Sequence, residues 1–134
     1  MGFNWQKKSS RDRRKALSKN TDRTRTASHG ESFLLFLKER IHPKGLYLLD
    51  EPETPLSPIH QMTLMVFLHQ QIEEGCQFLI ATHSPMLMAF PGAQILSLDQ
   101  NPIRQLEWED VEHVRLMKRF FQDPKNYLRR LFES

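Results

Sequence analysis

Three side chains that could act on a phosphate group follow two short apolar segments of the sequence. Asp50 and Glu51 come directly after the run LYLL at 46–49, and His83 follows FLIAT at 78–82. One carboxylate can hold a magnesium ion through its water shell, while the other can orient or deprotonate an attacking water. A histidine nearby can donate a hydrogen bond to a phosphate oxygen. These residue types predict phosphoryl-transfer chemistry, with a plain turn and helix cap as the alternative for Asp-Glu.

Two predicted strands position these residues. LYLLD at 46–50 and QFLIAT at 77–82 are apolar runs without alternation, which is typical of strands buried on both faces of a parallel sheet. QILSLD at 94–99 is predicted to be a third buried strand. Open α/β sheets bind their ligands at the carboxyl ends of the strands. The three polar side chains are therefore predicted to lie where such sheets bind ligands.

A helix is predicted between the first two strands. Ser57 can cap it with Pro58 at the first position, and Gly75 can end it. Its spacing predicts an apolar face formed by Met62, Met65, Val66, Leu68 and Ile72.

Two further helical regions flank the strands. Apolar residues at helical spacing predict a helix over 33–41, entered through the small polar loop SHGES at 28–32. An acidic stretch at 107–112 leads a last helical region that continues through Phe121. The order strand, helix, strand, strand, helix predicts an α/β fold, a mostly parallel sheet flanked by helices.

The composition excludes a membrane-spanning protein. The 134 residues are 39% hydrophobic and 26% charged, and no apolar run approaches the roughly 18–20 residues that a membrane span needs. Cys76 is the single cysteine, so an internal disulfide is excluded. The basic N-terminus is not followed by the apolar segment of a signal peptide. A cytoplasmic location is predicted.

Positive charge is concentrated in the first 27 residues. Residues 1–27 carry nine Lys or Arg and two acidic residues, although the net charge of the chain is only +3. This stretch is predicted to be a basic, flexible leader. The alternative is a nucleic-acid-binding arm, since phosphate contacts need clustered Lys and Arg. No aromatic residue is interleaved with the basic ones after Trp5, so a base-stacking platform is not expected.

Three motifs resemble those of the ABC-type ATPases. LYLLDEPETPLSP at 46–58 resembles their Walker B motif and D-loop, IATHSP at 80–85 resembles their switch-histidine loop, and SHGES at 28–32 is similar to their signature loop. Glu53 and the THSP sequence are more similar to chromosome-maintenance, recombination-type and stand-alone bacterial ATPases than to transporter subunits. The resemblance implies that residues 28–134 are the C-terminal part of an ABC-type ATPase domain, with a partial P-loop NTPase fold.

The resemblance implies ATP and Mg²⁺ as ligands and ATP hydrolysis as the activity. Asp50 would support magnesium through water, Glu51 would be the general base, and His83 would contact the γ-phosphate. Ser28 and Gly30 would contact the γ-phosphate of ATP bound to a second protomer. A homodimer, or a pair with a complete ATPase protomer, is the implied assembly.

A phosphate-binding loop is missing from these 134 residues. The motif G-x-x-x-x-G-K-[ST], which wraps backbone N–H groups around the β-phosphate, does not occur in them. We therefore expect a C-terminal portion of an ATPase that does not bind ATP tightly by itself. The alternatives are a non-catalytic module that lends its signature loop to a complete ATPase, and a nucleic-acid-binding protein acting through residues 1–27.

The missing loop also has a consequence for the sheet. In the family, the strand that precedes this loop lies between the strands predicted at 77–82 and 94–98. Without it, either these two strands pair directly or each leaves an unpaired edge, which would make the isolated chain prone to aggregate.

Overall fold

The computed structural model describes residues 29–99 and 101–133, in two units that divide after Arg40. The described part of the first unit is helix α1, His29–Arg40. The prediction of a loop up to residue 32 is wrong, because Gly30 lies in the first turn of α1. Small polar residues are tolerated there, and Glu31 suits the positive end of the helix dipole. Ser28 and the predicted leader at 1–27 lie outside the described residues.

The centre of the second unit is a strand, helix, strand motif, as predicted. Strand β1, Leu46–Asp50, pairs in parallel with β2, Gln77–Ala81, and the register runs from Leu46 opposite Gln77 to Asp50 opposite Ala81. Helix α2, Pro58–Glu73, connects them. The prediction of a mixed α/β protein with a parallel sheet is confirmed, although the parallel sheet has two strands in the described part of the chain.

Local signals set the ends of α2. The Ser57 hydroxyl accepts a hydrogen bond from the backbone N–H of His60 at 3.4 Å, and Pro58 occupies the first turn. After the helix, Gly75 takes a φ of +88°, a left-handed conformation that glycine adopts without steric cost. Both ends were correctly predicted from these residue types.

The predicted apolar face of α2 is largely wrong. Leu64, Phe67 and Leu68 are buried, whereas Met62 and Val66 are more than half exposed. Apolar residues occupy two sides of this helix, so the spacing alone does not decide which side faces the core. Leu68 is the one member of the predicted face that the structure buries.

One face of the parallel sheet is also exposed, contrary to the prediction of strands buried on both faces. The opposed pair Leu48 and Leu79 is 71% and 61% exposed, and Leu46 lies on the same face. Tyr47 and Phe78 stack on the other face, with ring centroids 5.7 Å apart. The sequence of the strands is that of a sheet covered on both sides, but the described residues cover one of them.

The third predicted strand belongs to a separate hairpin. Strand β3, Ile95–Ser97, pairs antiparallel with β4, Arg104–Leu106, and not with β2. The strand β4 was not predicted, and β3 is half exposed instead of buried. The sequence predicted either direct pairing of these two strands or unpaired edges. Within the described residues the strands do not pair with each other, and β2 and β3 each keep one unpaired edge.

The C-terminal part of the second unit is helical. A 3₁₀ turn at Trp108–Asp110 leads into α4, Glu112–Gln122, and α5, Pro124–Phe132, follows directly. A short helix α3, Pro85–Met88, follows β2, and the Trp108 indole N–H donates to the carbonyl of Pro85 at 2.9 Å. None of the helices in the described part of the chain has the length and apolar character needed to cross a membrane.

Candidate active site

Asp50 and Glu51 lie at the carboxyl end of β1. The Glu51 N–H donates to the Ala81 carbonyl at 2.8 Å, which extends the hydrogen-bond ladder by one bond beyond the strand. The chain then turns, and the Thr54 N–H donates to the Glu51 carbonyl at 3.1 Å. Glu51 has a φ of +45°, in the left-handed region that a non-glycine residue rarely occupies. Such conformations are held by surrounding structure and are concentrated at functional sites.

His83 lies next to Glu51. Its Nε2 atom is 3.6 Å from Glu51 Oε1, and the two side chains are 72% and 54% exposed. The parallel pairing of β1 with β2 explains this proximity, because Asp50 and Ala81 are opposite each other and both chains leave the sheet at the same edge. The pair is accessible to a ligand from solvent.

Glu53 holds the backbone of the His83 loop. Its Oε1 atom accepts a hydrogen bond from the His83 N–H at 2.9 Å, across a sequence separation of 30 residues. The other oxygen, Oε2, is buried and makes no hydrogen bond within the described residues. Glu53 therefore uses one of its two carboxylate oxygens to hold the His83 backbone, and its second oxygen has no partner within the described residues.

Hydrogen bonds around Ser84 fix the other side of this loop. Ser84 is buried, its hydroxyl donates to Gln61 Oε1 at 2.6 Å, and it accepts from the Leu87 N–H at 3.2 Å as the cap of α3. The Ser84 N–H donates to the Thr82 hydroxyl at 3.0 Å. His83 therefore has an exposed side chain, while its backbone N–H and its neighbour Ser84 are held by hydrogen bonds.

His113 is a third member of the cluster that the sequence analysis did not identify. It lies in the first turn of α4, and its ring centroid is 5.4 Å from that of His83. Thirty residues separate the two histidines, and no spacing rule relates them. The pairing of α4 with the strand-end loops could not be read from the sequence.

The acidic residues at this edge are suited to one kind of metal site. Among the described residues, no group of three or more His, Cys, Asp or Glu side chains is placed to hold a metal ion. A site built entirely from protein ligands is therefore not present in that part of the chain. Magnesium, however, commonly binds one or two carboxylates and takes its other ligands from water and phosphate oxygens. Asp50, exposed at the end of β1, fits that donor set.

The structure brings together three of the five predicted site residues. Asp50, Glu51 and His83 lie at the carboxyl edge of the parallel pair. Gly30 is buried in the first turn of α1, in the other unit, and Ser28 lies outside the described residues. The nucleotide roles given to Ser28 and Gly30 stay predictions.

Part of the chain matches a known family. Residues 32–89 match the model of a family described as "AAA domain, putative AbiEii toxin, Type IV TA system". The match supports an ATPase-like family of the AAA/ABC type. It covers α1 from residue 32, both parallel strands and the loops that carry Glu51 and His83, but fewer than half of the 134 residues. No curated protein and no solved structure matches the chain.

Proposed function

We propose that the chain supplies the hydrolytic side of an ABC-type ATPase site within a partial P-loop fold. The observation that carries the proposal is the 3.6 Å approach of His83 Nε2 to Glu51 Oε1 at the carboxyl edge of a parallel strand pair. The family match over 32–89 supports a nucleotide-binding, ATPase-like domain in the same segment.

The chemistry follows from the positions of these side chains. A water oriented by the Glu51 carboxylate attacks the γ-phosphorus of ATP and gives its proton to that carboxylate, while the bond from phosphorus to the ADP oxygen breaks. His83 donates a hydrogen bond to a γ-phosphate oxygen, whose charge changes during the reaction. Glu53 contributes by fixing the backbone of His83.

Asp50 is the residue that would hold Mg²⁺, through its water shell. Bound magnesium would supply positive charge to the phosphate oxygens at the end of β1. The β-phosphate requires further N–H donors and a lysine, and these 134 residues contain no such loop. We infer that those groups come from residues outside this sequence, so binding of ATP by the chain alone is weak.

Fluorescence titration with an N-methylanthraniloyl derivative of ATP tests the proposal. We expect weak binding that Mg²⁺ strengthens, and we expect Asp50→Asn to remove the effect of Mg²⁺ while leaving metal-free binding unchanged. Asp110→Asn is the matched control, because Asp110 is an exposed aspartate in the 3₁₀ turn. Tight binding without Mg²⁺, or a Mg²⁺ effect that survives Asp50→Asn, would contradict the assignment.

A further inference from the structure

An open groove lies between the last two helices. It has a volume of about 520 Å³ and is lined by Arg119 and Gln122 of α4 and by Tyr127, Arg130 and Leu131 of α5, with Asp123 and Asn126 at the turn. Binding pockets are concave and mostly apolar, with a few placed polar groups, and fall in about this size range. The groove lies on α4 and α5 and uses none of the strand-end residues described above.

The two helices hold the groove open by contacts of their own. The ring of Phe120 meets that of Tyr127 edge to face, with centroids 5.7 Å apart. Asp123 Oδ1 accepts from the Asn126 N–H at 3.1 Å and so caps α5. Asp123 contributes one negative charge to a groove that is also lined by two arginines.

The charge of the groove selects for an acidic partner. Within residues 112–133 there are six Lys or Arg and three Asp or Glu. Among the described residues, neither Arg119 nor Arg130 forms a salt bridge. Arginine presents a planar fork of N–H donors that matches a carboxylate. Two unpaired guanidinium groups in one groove therefore call for carboxylates.

Apolar side chains in the groove indicate that the occupant also has an apolar face. Leu131 of α5 lines the groove and is 59% exposed, and Tyr127 lines the same concave surface. Basic residues beside exposed apolar ones are also found in helices that lie on anionic membranes. Here, however, both arginines line a concave surface, which fits an inserted side chain better than a flat bilayer. Nucleic acid would match the arginines but not the aliphatic surface.

We propose that this groove binds an acidic amphipathic helix of a partner protein. Carboxylates of that helix pair with Arg119 and Arg130, and its apolar side chains pack against Tyr127 and Leu131. This is the helix-in-groove mode of recognition, in which apolar anchors supply area and charges supply register. The proposal is independent of nucleotide chemistry and goes beyond the ATPase proposal.

A fluorescence anisotropy titration of the full chain tests it. The probe is a labelled peptide of about 16 residues, long enough to form a helix, with Leu at helical spacing and Glu beside each Leu. We expect the double variant Arg119→Glu, Arg130→Glu to bind the peptide about tenfold or more weakly than the original chain does. The control, Arg115→Glu with Lys125→Glu, changes the net charge equally on the same helices but outside the groove, and should retain most of the affinity.

Charge exchange makes the test specific. A peptide with Lys in place of each Glu should bind the Arg119→Glu, Arg130→Glu variant better than it binds the original chain, and circular dichroism would establish that both variants are folded. Equal loss in the two double variants, or equal binding of a scrambled peptide, would overturn the proposal. A third outcome is that the chain does not bind the peptide but binds phosphatidylserine vesicles or duplex DNA through Arg119 and Arg130. That result would overturn the proposal in favour of the membrane or the nucleic acid.

Discussion

The carboxyl edge of the parallel strand pair is held by hydrogen bonds, whereas one face of the same pair is exposed. At the edge, Glu53 and Ser84 tie down the loop that carries His83 through hydrogen bonds of 2.9 Å and 2.6 Å. On the face, Leu46, Leu48 and Leu79 are exposed. Single hydrogen bonds between residues far apart in the sequence thus fix the polar loop, whereas the described residues leave this apolar face exposed.

This difference separates the placement of the site residues from the burial of the sheet. Placement of a few side chains depends on turns, caps and single hydrogen bonds, and the parallel pairing of β1 with β2 brings the bonded residues together. Burial of a sheet needs layers on both faces, and the described residues supply one of them. The predictions below address each region, in order of the expected change in the free energy of unfolding.

Among the replacements outside the hydrophobic core, Glu53→Ala should have the largest effect. It removes the acceptor for the His83 N–H, and loss of a hydrogen bond to a charged group costs about 1–3 kcal/mol of unfolding free energy. Urea unfolding would measure this cost, and hydrogen exchange should show faster exchange of the His83 amide. Glu53→Gln keeps one oxygen acceptor and should lose less. Unchanged His83 exchange in the alanine variant would show that the bond does not hold the loop.

Coupling between Glu51 and His83 should be smaller. Their side chains are 54% and 72% exposed and 3.6 Å apart, and an exposed pair of this kind contributes at most about 1 kcal/mol when the histidine carries a proton on both ring nitrogens. A double-mutant cycle with Glu51→Gln and His83→Gln would measure the coupling in the free energy of unfolding. The value should decrease at high salt because exposed charges are screened. A salt-independent coupling well above that limit would show that the pair serves folding, and the functional interpretation would weaken.

Replacing the exposed leucines should change stability least. Leu48→Thr on the exposed face should alter the unfolding free energy by less than about 0.5 kcal/mol, but should reduce self-association seen by analytical ultracentrifugation. Leu64→Thr is the matched control, because Leu64 is fully buried and its replacement should destabilise strongly. A large loss of stability in Leu48→Thr would mean that this face is already covered.

Local signals explain which parts of the fold could be predicted. Apolar runs, a serine cap and a glycine stop act within a few residues, so β1, α2 and β2 were predicted nearly to their ends. The buried side of α2 was mispredicted because the helix has apolar residues on two sides. The pairing of β3 with β4 depends on which neighbouring strands are present, which a short apolar run does not encode.

In the candidate site, too, the residues marked by local signals were predicted and those placed by distant contacts were not. Asp50, Glu51 and His83 were predicted because each follows an apolar run, and parallel pairing brings the run ends together. The role of Glu53 in holding the His83 backbone depends on a turn that spacing does not describe. His113 is brought to His83 by α4, and no local pattern indicates it.

Amide mapping of nucleotide binding tests the central claim most directly. In a titration of the chain with Mg·ATP followed by two-dimensional ¹⁵N NMR, we predict saturable shifts at Glu51 and His83, at the carboxyl edge, and little change at Leu46, at the far end of β1. Asp50→Asn should reduce the part of these shifts that depends on Mg²⁺. Saturable binding that leaves the amides of Glu51 and His83 unchanged would contradict the assignment of this edge as the hydrolytic side of an ATPase site.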